Sequence, residues 1–247
     1  MAFRPSSPAG IVTGAGSGIG QACVRMLVAS GTPVLAWDRD SDSLQQYASD
    51  PMVTTARVDV TDVESIRTAA ASPERREPIR FLINCAGAFL VGPLASVTPS
   101  QVRMLFDVNV VGTTLVTQAL LGELRQSKGA VVNVASSVAL KATASNAHYA
   151  ASKAAVAHLT RCWAMELGPD GVRVNCVAPG PTATAIYAAA GMSEAEQETL
   201  LTQRTASIPL RRIGRVEDSA TWILRLAVDD LWTTGAVVPV DGGMSLG

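Results

Sequence analysis

The sequence predicts an α/β fold: a single doubly wound parallel sheet of about seven strands, with helices on both faces. Three observations carry this. Short β-branched runs alternate with longer segments of helical period, the βαβα order that goes with parallel strands. The strand candidates are continuous apolar runs rather than alternating ones, as burial on both faces requires. No linker, repeat or low-complexity tract divides the 247 residues, so one domain over 1–247 is expected.

The elements follow in order. "GIVTG" (10–14) is a strand entering a glycine turn; Ile19, Cys23, Met26 and Leu27 then recur at helix spacing until Gly31. "PVLAWD" (33–38), "VTTARVDV" (53–60) and "IRFLIN" (79–84) are the next strands, with the helix-like "DVESIRTAAA" between the last two. Residues 99–127 read as one long helix, with Pro99 suited to its first turn. "AVVNVAS" (130–136), a helix over 146–167 and the strand "VRVNCVAP" (172–179) come next. Residues 185–206 read as a polar, mobile helical pair, 216–227 as a helix and "AVVPVD" (236–241) as the last strand. Pro239 cannot donate to a ladder, so that strand belongs at an edge or bulge.

Composition removes several function classes. Net charge is -1, and the basic pairs Arg75-Arg76 and Arg211-Arg212 sit in polar, Pro-flanked stretches, so no nucleic-acid partner is expected. No run of about 18 uninterrupted apolar residues points to a membrane span, and "MAFRPSSPAG" has no apolar signal core. Cys23, Cys85, Cys162 and Cys176 show no C-x-x-C pairing. Disulfides are conceivable, but buried free thiols in a reducing cytoplasm fit better. His148 and His158 lie ten apart with no cluster around them, so no metal site is expected.

"TGAGSGIG" (13–20) joins the first strand to the first helix. Glycines let the backbone turn tightly and approach a pyrophosphate, while the helix N-terminus supplies free N–H groups. The spacing is T-G-x-x-x-G-x-G, on Gly14, Gly18 and Gly20, rather than strict G-x-G-x-x-G. Asp38 ends the second strand, where a carboxylate can accept hydrogen bonds from an adenosine ribose and would repel a 2′-phosphate. NAD is therefore favoured over NADP, although Arg39 follows at once. Asp59 ends the third strand and reads equally as a helix N-cap; the "NCAG" turn (84–87) ends the fourth. Ligands of such Rossmann-type sheets bind at these strand ends.

With these motifs in one order, followed by Asn109, Ser136, Tyr149-x-x-x-Lys153, "PGPTAT" (179–184) and "VDGG" (240–243), the chain resembles the classical short-chain dehydrogenase/reductase family over roughly positions 8 to 244. Cys85 stands where the family's N-N-A-G turn has its second asparagine. The resemblance implies hydride transfer between a nicotinamide cofactor and a secondary alcohol or ketone, in a homotetramer. It implies Asn109, Ser136, Tyr149 and Lys153 as the catalytic set. The family spacing N-x-x-S, then thirteen residues to the tyrosine, selects Ser136 over Ser137 when counted from Asn133. Tyr149 would be the acid/base and Ser136 would steady the substrate oxygen. Lys153, one turn along the same helix face, would lower the tyrosine pKa and hold the nicotinamide ribose. Asn109 would position a water linking Lys153 to solvent.

The implied cofactor-binding set is Gly14, Ser17, Gly18, Ile19, Gly20, Asp38, Asp59, Val60, Asn84, Ala86, Gly87, Tyr149, Lys153, Pro179, Gly180, Thr182 and Thr184. Thr184 reads either as a cofactor contact or as a turn threonine. His148, adjacent to the tyrosine, reads as a lip or helix-start residue; His158 reads as facing a core or partner helix, and Met26, Met104 and Met165 as packing. Small residues Ala150, Ala151, Ala154 and Ala155 suit close packing of the 146–167 helix, including against a partner. Specificity should lie in 88–94, 137–146 and a substrate loop at about 181–210. Their mainly apolar residues, with Lys141 and Arg204 as exceptions, fit a neutral alcohol or ketone better than a phosphorylated sugar. The competing readings are an NADP-linked 3-oxoacyl-type reductase and a non-catalytic NAD-binding regulatory protein.

Overall fold

The computed structural model describes residues 10–71, 79–184 and 186–246. The N-terminal stretch and the Arg75-Arg76 pair lie outside them, as does residue 185 at the start of the expected helical pair. Seven parallel strands form one sheet: β1 (Gly10–Thr13), β2 (Val34–Asp38), β3 (Val53–Arg57), β4 (Phe81–Asn84), β5 (Ala130–Val134), β6 (Arg173–Pro179) and β7 (Val237–Val240). Their order is β3-β2-β1-β4-β5-β6-β7. The winding reverses between β1 and β4, so a crevice opens there at the carboxyl ends of the strands. β7 is an edge strand and Pro239 is exposed on it, where its missing N–H costs no ladder bond.

The continuous apolar strands are explained by two cores. Val12, Ala36, Ile83 and Val132 face one way, onto Cys23, Val24 and Leu27 of α1 (Gly18–Ala29). Ile11, Leu35, Trp37, Leu82 and Val131 alternate to the other face, onto Val116, Leu120 and Leu124. Each such buried side chain contributes about 1.5–3 kcal/mol relative to exposure.

The helices depart from expectation in instructive ways. α2 (Ser41–Leu44) is an unforeseen turn, nucleated when the Asp42 amide donates to Asp40 at 3.0 Å. β3 stops at Arg57 because Asp59 accepts from both the amide and the hydroxyl of Thr61, at 2.9 and 2.7 Å, which turns the chain. Asp62, not Asp59, caps α3 (Val63–Ala70). The long 99–127 helix is present, opened by a Thr98–Gln101 capping box, but it is not uniform. α4 (Pro99–Phe106) and α5 (Thr113–Ser127) flank a π-helical segment, Asp107–Gly112. The hydroxyls of Thr113 and Thr114 donate to the carbonyls of Asn109 and Val110, both at 2.8 Å, competing with the regular ladder. This Pro99–Ser127 stretch is the one helix among the described residues long and apolar enough to cross a membrane; here Leu105, Val116, Leu120 and Leu124 bury its inner face.

α6 (Ala147–Leu167) packs against α4 and the π segment, and the pair α7 (Ile186–Ala189) and α8 (Glu194–Ser207) follows β6. α9 (Val216–Leu224) covers the α1 side. α8 has a Ser193–Glu196 capping box but buries no residue, consistent with its polar sequence. Among the cysteines only Cys23 and Cys176 are buried; Cys85 is half-buried and Cys162 exposed, against the expectation of four buried thiols, though all four are free. Met104, Met165 and His158 likewise point outward rather than into the core, because they fall on the outer faces of their helices.

Candidate active site

A cavity of about 300 Å³ opens at the carboxyl ends of β1, β2, β4, β5 and β6. Its floor is the glycine turn. Gly14 has φ +63°, and a Cβ there would stand 2.8 Å from the Ala86 amide; a Cβ on Gly20 would stand 2.1 Å from the Gly14 carbonyl. Only glycine lets β1, α1 and the β4 turn meet so closely. Ser17 is the extended N-cap of α1 and makes no side-chain cap bond, so the first-turn amides keep their hydrogen-bonding capacity toward the cavity. Ser17, Gly18, Ile19 and Gly20 all line it.

Asp38 stands at the wall, where its carboxylate accepts from the Gly16 amide at 2.9 Å and the Asp40 amide at 3.0 Å. Two ordinary amide bonds leave carboxylate lone pairs for a ribose. Asp59 and Val60 line the same side. Thr61, through its hydroxyl and amide, holds the Asp59 carboxyl below its usual range, aided by Arg39 and Arg57. Ala86 and Gly87 continue the wall, with Thr13 accepting from the Ala86 amide at 3.1 Å. Pro179, Gly180, Thr182 and Thr184 close the opposite side. The Thr184 side chain stands 3.3 Å from where a Cβ on Gly18 would be, so this segment covers the glycine turn. Free helix-end amides, a strand-end carboxylate and a turn without room for side chains fit the pyrophosphate and ribose of a dinucleotide.

Ser136, Tyr149 and Lys153 line this same cavity. Ser136 follows β5, and its hydroxyl is loosely held, 3.5 Å from the Pro179 carbonyl. Tyr149 sits in the first turn of α6 with Phe89 edge-on at 4.9 Å. Burial pushes its phenol up to about 12, a hydrogen bond with Ser136 pulls it down, and Tyr187 adds a smaller upward push. Burial also brings Lys153 down to about 8. Its ammonium donates to the Val134 carbonyl at 2.9 Å. The expected lowering of the tyrosine by the lysine is therefore not what this chain alone produces: desolvation dominates both groups.

Two expected residues lie behind the wall instead of on it. Asn84 is buried and donates to Asn133 at 2.9 Å and Thr117 at 3.1 Å; Asn133 in turn donates to Thr160. This amide–hydroxyl chain pins β4 and β5 to α5 and α6, and the Asn84 side chain does not line the cavity. Asn109 sits in the π segment, fully buried. It accepts from the Ala88 amide at 2.8 Å and donates to the Ala88 carbonyl at 3.0 Å and to Ser152 at 2.9 Å. Both Asn109 Oδ1 and Lys153 Nζ lie 3.2 Å from where a Cβ on Gly87 would stand. Asn109 thus locks the β4 turn against α6 and the lysine.

The wall also holds Asn146 and Leu200, which fall within the expected specificity segments without being singled out there, and Met244, which falls outside them. Asn146 stands at the N-cap of α6, yet its side chain makes no cap bond. Ser137, passed over in favour of Ser136, also lines the cavity; His148, read as a lip or helix-start residue, does not.

A family model described as "Enoyl-(Acyl carrier protein) reductase" matches residues 14–245. L-xylulose reductase of Bos taurus is 35% identical over 98% of both chains. Galactitol 2-dehydrogenase (L-tagatose-forming) of Cereibacter sphaeroides is 34% identical, over 99% of this chain and 97% of its own. The crystal structure of a short-chain dehydrogenase/reductase family oxidoreductase from Burkholderia thailandensis superposes with a TM-score of 0.88 at 31% identity, over 98% of this chain and 94% of that one. With the glycine turn, sheet order and Ser136–Tyr149–Lys153 grouping in place, the chain belongs to the classical short-chain dehydrogenase/reductase family of nicotinamide-dependent oxidoreductases.

Proposed function

We propose that the protein is an NAD-dependent oxidoreductase interconverting a secondary alcohol and its ketone. The carrying observation is that Ser136, Tyr149 and Lys153 share one cavity with the glycine turn and Asp38. The bound nicotinamide supplies or receives the hydride. Tyr149 exchanges a proton with the substrate oxygen. Ser136, loosely held by its neighbours, is free to hydrogen-bond that same oxygen and steady its developing charge. Lys153 fixes its ammonium on Val134 and presents its remaining donors to the ribose. Asn109 acts as a positioning residue through Ala88 and Ser152. A phenol pushed up to about 12 is a ready acid but a scarce base at neutral pH. Alcohol oxidation should therefore climb with pH from 7 to 10, while ketone reduction should not.

Asp38 supports NAD, and the names of the sugar- and polyol-active relatives support carbinol chemistry. The NADP-linked reading, with a 3-oxoacyl-type substrate, rests on Arg39 at the cavity wall and on Arg57, which donates to the Arg39 carbonyl at 3.2 Å. A 3-oxoacyl-[acyl-carrier-protein] reductase of Thermotoga maritima is 33% identical. Side-by-side kinetics with NADH and NADPH decide: a strong NADPH preference refutes the Asp38 argument. A homotetramer is the expected assembly; Ala151, His158, Cys162 and Met165 expose one face of α6 at helical spacing, suited to a second copy. Light scattering that finds monomers would oppose it. The free thiols suit a cytoplasmic setting.

A further inference from the structure

The acids on the cavity wall, Asp38 and Asp59, both stand at the β2–β3 side. At the α7–α8 side the wall carries a cation, Arg204, half-buried beside Leu200 and Ile186. Its guanidinium makes no hydrogen bond or ion pair among the described residues. Its own helix offers none: positions three and four away are Leu200, Leu201, Ser207 and Ile208, and the three glutamates of α8 cluster in its first turns. Its charge is felt at Tyr187, whose ring stands edge-on to Phe89 at 5.4 Å, and Phe89 stands edge-on to Tyr149. That aromatic path leads from Arg204 toward the acid/base. A second wall residue is also unsatisfied: Asn146 is buried, one turn before Tyr149, and its Oδ1 has no partner.

A half-buried guanidinium fork on a cavity wall, left without an anion, is complementary to a carboxylate. We infer that the substrate carries a carboxylate that pairs with Arg204 while its carbinol or ketone carbon sits at Tyr149: a hydroxy acid or oxo acid rather than a neutral alcohol. This rests on the oxidoreductase reading for the reacting end, but the anion site stands on Arg204 itself. The alternative anion, the cofactor pyrophosphate, would be held on the glycine-turn side, where the α1 amides are uncapped and Thr184 stands over Gly18.

The test has a binding arm and a turnover arm. Unreactive straight-chain monocarboxylates of graded length, and their methyl esters, are titrated into the enzyme with NADH bound. Hydroxy acids of graded length, and their methyl esters, are then compared as substrates. We expect at least one carboxylate length to bind, Arg204→Met to weaken it by at least about tenfold, and Arg204→Lys to recover part of the loss. The hydroxy acid should lose far more kcat/KM than its ester, mostly through KM, with NADH affinity unchanged. The inference is overturned if no carboxylate binds the wild type, if acid and ester fall alike, or if Arg204→Met chiefly weakens NADH. Carboxylate binding through Arg204 without turnover of any alcohol would uphold the anion site and sink the oxidoreductase reading instead.

Discussion

Along the β1–β4 side of the cavity, Asp38 is held by two amides, Asp59 by Thr61, Lys153 by Val134 and Asn109 by Ala88 and Ser152. Arg204 on α8 and the Asn146 oxygen at the start of α6 have no such partners, and α8 buries no residue. The first side is organised before any ligand arrives. The second group is completed by what binds. Such a division suits a fold that holds a cofactor on pre-bonded groups at the strand ends and meets a substrate with unsatisfied groups at the start of α6 and on α8.

That contrast can be broken at several points. Lys153→Ala should have the largest effect, removing both the ribose contact and the neighbour of the acid/base. Turnover should fall at least about 10³-fold and NADH affinity should fall with it, read by steady-state kinetics and fluorescence titration. Asp38→Ser should be milder, raising the NAD dissociation constant roughly 10- to 100-fold and narrowing the gap to NADP, since it removes one charged hydrogen-bonding group. Its kcat at saturating cofactor should change little.

A stability measurement probes the pre-organised side without any substrate. Lys153 has its folded pKa lowered to about 8 from 10.5. Between those values the unfolded chain binds the proton and the folded chain does not, so stability rises as pH climbs from about 8 to about 10.5. The stabilisation is fully present above that window and lost as pH falls through it, up to about 3 kcal/mol for this buried group. Denaturant unfolding at pH 7.5 and 10 should show this in the difference between wild type and Lys153→Met, which should shift in favour of wild type as pH rises. Cys23, pushed up by a hydrogen bond with Cys85 and by burial, and Cys176, pushed up by burial, act in the opposite sense from about pH 9, and Tyr149, pushed up to about 12, does so above pH 10; the comparison with the variant cancels them.

What the sequence made legible follows the same division. The seven strands, the edge position of Pro239 and the glycine turn were readable because each depends on local spacing or backbone chemistry; that Asp38, Ser136, Tyr149 and Lys153 line one cavity followed from where those strands end. The π segment at Asp107–Gly112 was not, since an apolar 3.6-residue pattern does not reveal threonine hydroxyls competing for carbonyls. Asn84 was misplaced because a motif position does not say which way an amide points; here it turns inward to Asn133 and Thr117. Asn146 and Arg204 were under-read because a missing partner is a property of three-dimensional surroundings. Arg204 was visible only as an exception in an apolar loop.

The central claim is that Tyr149 exchanges the proton in a nicotinamide-linked alcohol–ketone reaction. The direct test compares wild type and Tyr149→Phe with NAD and a panel of secondary alcohols and hydroxy acids, following NADH absorbance, with NADH binding measured on both proteins. The account predicts turnover of at least one panel member by wild type, a loss of about 10³-fold in the variant, and nearly equal NADH affinity. NADH binding by both proteins with no turnover in either, or equal turnover in both, would contradict it.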